Sequence, residues 1–488
     1  MPDLSRRESG SSLALHGIVA DAAASLAQAW RVESAVLRNW VEKTCGAPTN
    51  TATTAASLRR WTLPAILDGA MPTAVAASID RNERRTQGIF FTPESTALRM
   101  ARKASVSTND VCFDPTVGIG SLLVAFASAL PVRRTFEHTL SLWNGRLAGY
   151  DVDPHLVALT KLRILSLITT KVGAPSKIPA VEPLPGVRAG DALEEPWPDW
   201  GVLLANPPFS RSVVDGRLTS HAALFLERIC DALHGEREAI VLLPDVIRCG
   251  TQHAELRHRI RRDLRITWGA HLGRIWSDAD IDVFAMRLTQ SGRQHVGWWG
   301  DVPFFGDASE RQRLSAAISG TTLGELYTVS VGSIVPHRHV PAMRDRTYPF
   351  VRASDLHQPL HPARLGTLKC NSSSVVSGPF LAVARTSSPN DSTRIVASIA
   401  PLARSYAVEN HVLVISGRPL NELRKLRTRL ESAAIRELLD TRIGCRHITV
   451  GALKDLPVAR ERKADARKTH TRSQRRSRAV AGRATSSL

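Results

Sequence analysis

The sequence predicts an α/β protein: a doubly wound, mostly parallel sheet, followed by a second domain of mixed α+β character. Three observations carry this. Between about residues 88 and 300, short apolar runs alternate with stretches of helical spacing, the pattern of strands joined by crossover helices. Four of those runs end in a polar residue, Asp114, Asp151, Asp191 and Asn206, where strands of an open sheet present ligand-binding groups. Beyond about residue 320, strand-like runs are short and turn signals frequent.

Residues 1–80 read as a helical N-terminal segment. "LHGIVADAAASLAQAW" and "ESAVLRNWVEK" space their apolar residues by three and four. "GAPTNTATT" interrupts the pattern, and the segment shows no arrangement that suggests chemistry.

Residues 81–305 hold the predicted sheet. "DVCFD" (110–114) is a strand followed by a Gly-bearing turn and the helix "SLLVAFASAL". "RLAGYD" (146–151) precedes the helix "PHLVALTKLRILSLI", and "VRAGD" (187–191) and "GVLLAN" (201–206) follow. The helix "HAALFLERICDALH" leads to "EAIVLLP" (238–244). "RITWGAHL" (265–272) and "IDVFAMRLT" (281–289) alternate with period two and predict a closing pair, with at least one antiparallel strand at the sheet edge.

"GDASERQRLS" reads as a polar linker. Residues 320–457 form the second domain, with "YTVSVGSIVP", "PFLAVARTSSPNDST" and "HVLVIS" as strands and turns, and one helix over "LNELRKLRTRLESAAIRELLDTR". Residues 458–488 are basic and nearly free of large apolar residues, a disordered composition.

The chain has 488 residues, 43% of them hydrophobic, enough for two or three cores. Its formal net charge is +19. The last stretch, with ten Lys/Arg and two acids, holds roughly +8 of this, leaving about +11 on the folded body. Such an excess points to a polyanionic partner, nucleic acid first. The six cysteines form no CxxC pair and stand near no His at zinc-ligand spacing, so no metal is expected and a reducing compartment is. No apolar run is long enough for a membrane span, and the first residues lack the apolar core of a signal peptide. A cytoplasmic location is the resulting expectation.

Each polar strand end alone is ordinary. Together they describe a ligand. "DPTVGIG" (114–120) places Gly118 and Gly120 after Asp114, where a backbone can approach a ligand closely. The turn has too few glycines for a dinucleotide fingerprint and lacks the Lys of a P-loop. In "GYDVDP", Asp151 is suited to accept hydrogen bonds from both hydroxyls of a ribose, and Val152 offers apolar surface to an adenine. Asp153 is expected to cap the next helix, with Pro154 at its first position. Asp191, in "GDAL", is suited to accept from an exocyclic amine. A ribose and an adenine without a phosphate cradle suit S-adenosylmethionine.

"LLANPPFS" (203–210) ends a core strand in Asn-Pro-Pro-Phe. The side-chain carbonyl of Asn206 and the backbone carbonyl of Pro207, held by restricted backbone, are two acceptors for the hydrogens of one amino group. Such a pair frees the nitrogen lone pair for attack on a methyl. Phe209 offers a face for the base that carries the amine. The competing reading is a plain Asn-Pro turn.

These residues resemble the amino-methylating DNA methyltransferases, in particular the adenine-N6 enzymes of the γ order. "GIFFTPESTALRMA" (88–101) resembles their first cofactor motif, with Phe91, Thr92 and Pro93 in contact positions; "DPTVGIGSLL", "GYDVDP", "GDAL" and "NPPF" follow in the family's order. "HLGRIWSDADIDVFAMRLTQSG" resembles the segment that supplies a second aromatic, here Trp276, to stack on the base face opposite Phe209. "PFLAVARTSS", "ENHVLVIS" and "TRIGCRHITVGALKDLPV" are similar to target-recognition domains. The resemblance implies the fold of S-adenosylmethionine-dependent methyltransferases. It also implies double-stranded DNA as partner, base flipping, and a place in restriction-modification. No acidic/Lys nuclease cluster is visible, so a separate restriction endonuclease or specificity subunit would complete the system. Val117 and Ile119 stand where the family often has small residues, bulk expected to crowd the methionine end of the cofactor. The alternatives are methylation of RNA, of protein glutamine or of cytosine N4, and a non-catalytic DNA-binding component.

Overall fold

The computed structural model describes residues 10–45, 61–105, 110–180, 182–214, 216–387, 394–444 and 447–459. The expected disordered tail lies almost wholly outside them. The chain divides into two compact units, residues 1–306 and 307–488.

The first unit is built on a seven-stranded sheet. Its strands are β1 (Cys112–Asp114), β2 (Leu147–Asp151), β3 (Val187–Ala189), β4 (Val202–Ala205), β5 (Glu238–Pro244), β6 (Arg265–Arg274) and β7 (Asp282–Thr289). They lie in the order β3-β2-β1-β4-β5-β7-β6. β1 pairs in parallel with β2 and β4, β2 with β3, and β4 with β5. Only β7 runs antiparallel to its neighbours. This is the doubly wound sheet the sequence predicts, but the antiparallel strand stands one place in from the edge.

Both faces of the sheet are buried. Val202 and Leu204 of β4 join one core, and Leu203 and Ala205 join the other. Such strands read as continuous apolar runs rather than alternating ones. Strand order reverses between β1 and β4, so a crevice opens beyond their C-terminal ends.

The N-terminal helices form a layer on one face. They are α1 (Gly10–Trp30), α2 (Ser34–Cys45), α3 (Leu63–Leu67), α4 (Ala70–Ser78) and α5 (Arg81–Gln87). α6 (Glu94–Ala101), α7 (Ser121–Ala127), α8 (Phe136–Asn144) and α9 (Pro154–Val172) follow. α9 is buried along most of its length because it lies between the sheet and this layer, which explains why apolar residues stand on every side of it. Trp30 Nε1 donates to Thr169 Oγ1 at 2.9 Å, and Lys161 Nζ donates to the Thr44 carbonyl at 3.2 Å. The segment with no visible chemistry thus shares one core with the sheet.

On the other face lie α10 (His221–Ala232) and the helix Ala254–Asp263. Cys112, Cys230, Cys249 and Cys370 are buried and unbridged. Among the described residues no helix is long and apolar enough to cross a membrane, and no cluster of three or more His, Cys, Asp or Glu could hold a metal.

The second unit contains two four-stranded sheets. One has the order Thr328–Val331, Val412–Ser416, Phe380–Ala384, Ala397–Ala400; the other, Thr367–Cys370, Arg346–Val351, Ser405–Val408, Val375–Ser377. Two expectations are corrected here. The polar linker is the helix Ala308–Ile318, capped by Asp307, whose side chain accepts from Glu310 N at 2.9 Å; it is polar because Leu314 alone is buried. The single long helix is two, Leu420–Leu430 and Ala433–Arg442. Ser432 caps the second, its hydroxyl accepting from Ile435 N at 3.4 Å.

Candidate active site

The turn after β1 is set by its glycines and by a buried acid. Gly118 and Gly120 have φ values of 53° and 74°, a region that favours glycine. A Cβ on Gly120 would stand 2.7 Å from the Thr160 side chain. Asp114, 1% exposed, receives Thr116 N at 3.0 Å. Burial pushes its carboxyl up to about 7, against the Thr116 hydrogen bond and with help from the charge of Asp151. Val117 and Ile119 are both buried in the core, and Val117 packs over Gly149, where a Cβ would lie 2.9 Å from its own.

Asp151 at the tip of β2 accepts from Gly118 N and from Asp153 N, each at 2.9 Å. Burial raises it to about 6, opposed by those hydrogen bonds. A carboxylate has about four acceptor sites, so these two bonds leave room for ribose hydroxyls. Val152 beside it is 72% exposed, an apolar side chain held in the open. Asp153 caps α9 as expected, accepting from His155 N at 2.8 Å with Pro154 at the first position. Asp191 forms the turn after β3 and accepts from Leu193 N at 2.8 Å. Its charge reaches His221, whose pKa burial lowers and Asp191 raises, with a net lowering.

Asn206 follows β4. Its Nδ2 donates to the Phe90 carbonyl at 2.6 Å and to Thr92 Oγ1 at 3.0 Å. Those two acceptors fix which way the amide faces. Its Oδ1 is buried and has no hydrogen-bond partner. Buried polar atoms are rarely left so, and an orphan calls for an explanation. Pro207 is buried and Pro208 and Phe209 are half-buried. Beyond them, Arg211–Val214 and Arg217–Ser220 form a hairpin. Its base is closed by Ser210 Oγ and His221 Nδ1, 2.7 Å apart.

The motif before the Gly turn wraps over this strand end. Pro93 stands at the N-cap of α6. Thr92 is buried with its hydroxyl on Asn206, and the Phe91 ring lies 3.6 Å from where a Gly118 Cβ would be. Trp276 Nε1 donates to the Phe91 carbonyl at 2.7 Å. The Trp276 and Phe209 ring centres are 5.7 Å apart with planes at 77°, and Phe90 touches both, at 5.2 and 5.7 Å. A base held between parallel rings needs about 7 Å from ring to ring. The expected pair of parallel walls is therefore not present; Phe90 fills the gap.

Four further residues, none of them singled out above as a site residue, shape the site. Gly88 has φ 70°, its carbonyl accepts from Phe209 N at 3.2 Å, and a Cβ there would stand 2.6 Å from that nitrogen. Phe90 is the first of the "FF" pair, of which the resemblance points only to the second. Thr160 and Arg163 of α9 donate to the carbonyls of Gly118 and Ile119, at 2.8 and 2.7 Å. Only Gly88 leaves a trace in the sequence, as a lone glycine before an aromatic pair.

No curated protein sequence matches the chain. Among solved structures it is similar to the type IIL restriction-modification enzyme MmeI in complex with DNA, with a TM-score of 0.52 and 12% identity over 80% of this chain and 71% of that one. It is also similar to the type IIG restriction endonuclease BpuSI, with a TM-score of 0.44 and 12% identity over 96% and 72% of the two chains. The type I methyltransferase subunit from Streptococcus thermophilus gives 0.34 and 16% over 53% and 59%. At these identities the likeness to MmeI speaks for the fold. The sequence match is to a family model, N-6 DNA Methylase, over residues 77–260, which span every strand-end motif from "FFTP" to "NPPF". Over residues 77–260 the chain is thus similar to the N-6 DNA methylases.

Proposed function

We propose that this chain methylates N6 of adenine within a specific DNA sequence, as the modification component of a restriction-modification system in the cytoplasm. One observation carries the assignment of the chemistry to Asn206: its Oδ1 is buried and unpartnered while its amide nitrogen is engaged twice. That oxygen is a fixed acceptor awaiting a donor.

In this reading the +19 charge brings the protein to duplex DNA through phosphate contacts. Residues 320–457 act as the target-recognition domain, and MmeI, similar over 80% of this chain, was solved with DNA. An adenine inside the stack is out of reach, so it is flipped out. Phe209 stacks on it, and the Asn206 and Pro207 carbonyls each accept a hydrogen bond from its amino group. Trp276 contributes by holding the Phe91 carbonyl.

The crevice residues fit S-adenosylmethionine. Asp151 keeps acceptor capacity for the ribose, the exposed Val152 supplies apolar cover for the adenine, and Asp191 accepts the cofactor's exocyclic amine. Asp114, Gly118 and Gly120 form the floor, with Phe91, Thr92 and Pro93 as the wall. S-adenosylmethionine supplies an electrophilic methyl group. The protein's part is to position the amine and to aim dipoles at it.

The test is expression in a methylation-free bacterial host, followed by base-modification sequencing of the host genome. N6-methyladenine at one recurring motif, absent with Asn206→Ala, is the expected result. Unchanged methylation by that variant would overturn the role of Asn206. N4-methylcytosine instead would overturn the substrate.

A further inference from the structure

The N-terminal helices carry no chemistry of their own, yet one buried side chain ties them to the cofactor turn. Arg163 of α9 is 2% exposed. Its Nε donates to the Ile66 carbonyl at 2.9 Å and Nη2 to the Leu67 carbonyl at 3.0 Å, both in α3. Nη1 donates to the Ile119 carbonyl at 2.7 Å and lies 3.5 Å from Ser121 Oγ. These partners are neutral. The charges of Glu94 and Asp68 act from farther away, and burial holds the guanidinium down to about 10. Burying a charge on neutral partners is costly, and here it satisfies three backbone carbonyls at once.

The geometry shows what the cost secures. Thr160, three residues earlier on the same face of α9, donates to the Gly118 carbonyl at 2.8 Å. Two successive carbonyls of the Gly turn are thus drawn onto α9. In a trans peptide the N–H points opposite to the carbonyl, so pinning Gly118 O turns the Ile119 N–H away from α9. The same fork grips α3, so one side chain holds the turn and the N-terminal layer together.

We propose that Arg163 is a positioning residue that locks the cofactor turn to α3, making residues 63–67 part of the S-adenosylmethionine site. This rests on the reading of residues 114–120 as the floor of that site.

The experiment measures binding of S-adenosylhomocysteine to the full-length protein by titration calorimetry, beside steady-state methylation. Arg163→Met is expected to weaken binding by about tenfold or more and to raise the cofactor KM in step, with kcat at saturating cofactor close to wild type. Arg163→Lys, which keeps the charge but not the three-way fork, is expected to lie between. Lys161→Met cuts a different tie from α9 to the helical layer, to the Thr44 carbonyl at 3.2 Å, and is expected to lower the melting temperature while leaving binding near wild type. Equal binding by Arg163→Lys and wild type would overturn the proposal, as would equal losses in Lys161→Met and the Arg163 variants. If Arg163→Met does not fold, the Arg163→Lys result decides. Failure of the wild-type protein to bind would instead overturn the cofactor reading itself.

Discussion

The amide nitrogen of Asn206 donates to the hydroxyl of Thr92 at 3.0 Å, joining two motifs 114 residues apart. The family resemblance implies Thr92 as a cofactor contact. In the structure its hydroxyl helps to fix the Asn206 amide, the group proposed to receive the target amine. A second donor bond, to the Phe90 carbonyl at 2.6 Å, shares the task. Thr92→Val keeps the shape and removes one of the two. The remaining bond holds the amide less firmly, so kcat is expected to fall about tenfold, worth about 1.4 kcal/mol. S-adenosylhomocysteine binding should change little. A large loss of binding with kcat preserved would return Thr92 to the cofactor.

Gly88 carries the loop on which Phe209 rests. Its φ is 70°, and a Cβ at this position would stand 2.6 Å from Phe209 N, so there is no room for a side chain. Gly88→Ala is expected to displace the Phe209 backbone and to cost about 1–2 kcal/mol from the left-handed conformation alone. Both the melting temperature and kcat should fall. A crystal structure of the variant with Phe209 unmoved, together with normal kcat, would refute the link.

Trp276 offers a way to separate stacking from support. Its indole N–H donates to the Phe91 carbonyl at 2.7 Å, while its ring meets Phe209 at 77°. Trp276→Phe keeps an aromatic ring and loses the donor. If Trp276 supports the wall, the cofactor KM should rise about 3–10-fold, the value of one hydrogen bond, with kcat retained. If it stacks on the base, Trp276→Phe should be nearly silent and Trp276→Ala should lose kcat.

Much of this was legible in the sequence, for physical reasons. Strand ends announce themselves because a parallel core strand is apolar throughout and its ligand-facing tip is not, as "LAGYD" and "VLLAN" show. The Asp153–Pro154 cap was legible because capping chemistry is local. What stayed hidden depends on distant packing. The direction of Val117 depends on Gly149 in the neighbouring strand. The roles of Thr160 and Arg163 depend on which face of α9 meets the turn, and a helix with apolar residues on every side gives no periodicity from which to read it. The helix Ala308–Ile318 was missed because a helix that buries one leucine has almost no amphipathic signal.

Asp151 and Asp114 predict a pH dependence with a definite sign. Burial raises Asp151 to about 6 and Asp114 to about 7, both above their value in the unfolded chain. Raised carboxyls bind more protons in the folded state than in the unfolded one between about pH 4 and 7. Their contribution to stability is therefore fully present at low pH and is lost as pH rises through about 6 and 7. Cofactor binding should run the other way. Ribose hydroxyls donate, so they favour the ionised Asp151, and affinity should weaken as pH falls through about 6. S-adenosylhomocysteine titrated against the wild type from about pH 5 to about pH 8 should show this rise, about tenfold per unit below the midpoint. Asp151→Asn should bind weakly at every pH and lose the midpoint near 6. An unchanged midpoint in that variant would move the titration to Asp114, the other buried carboxyl at the strand ends of this crevice.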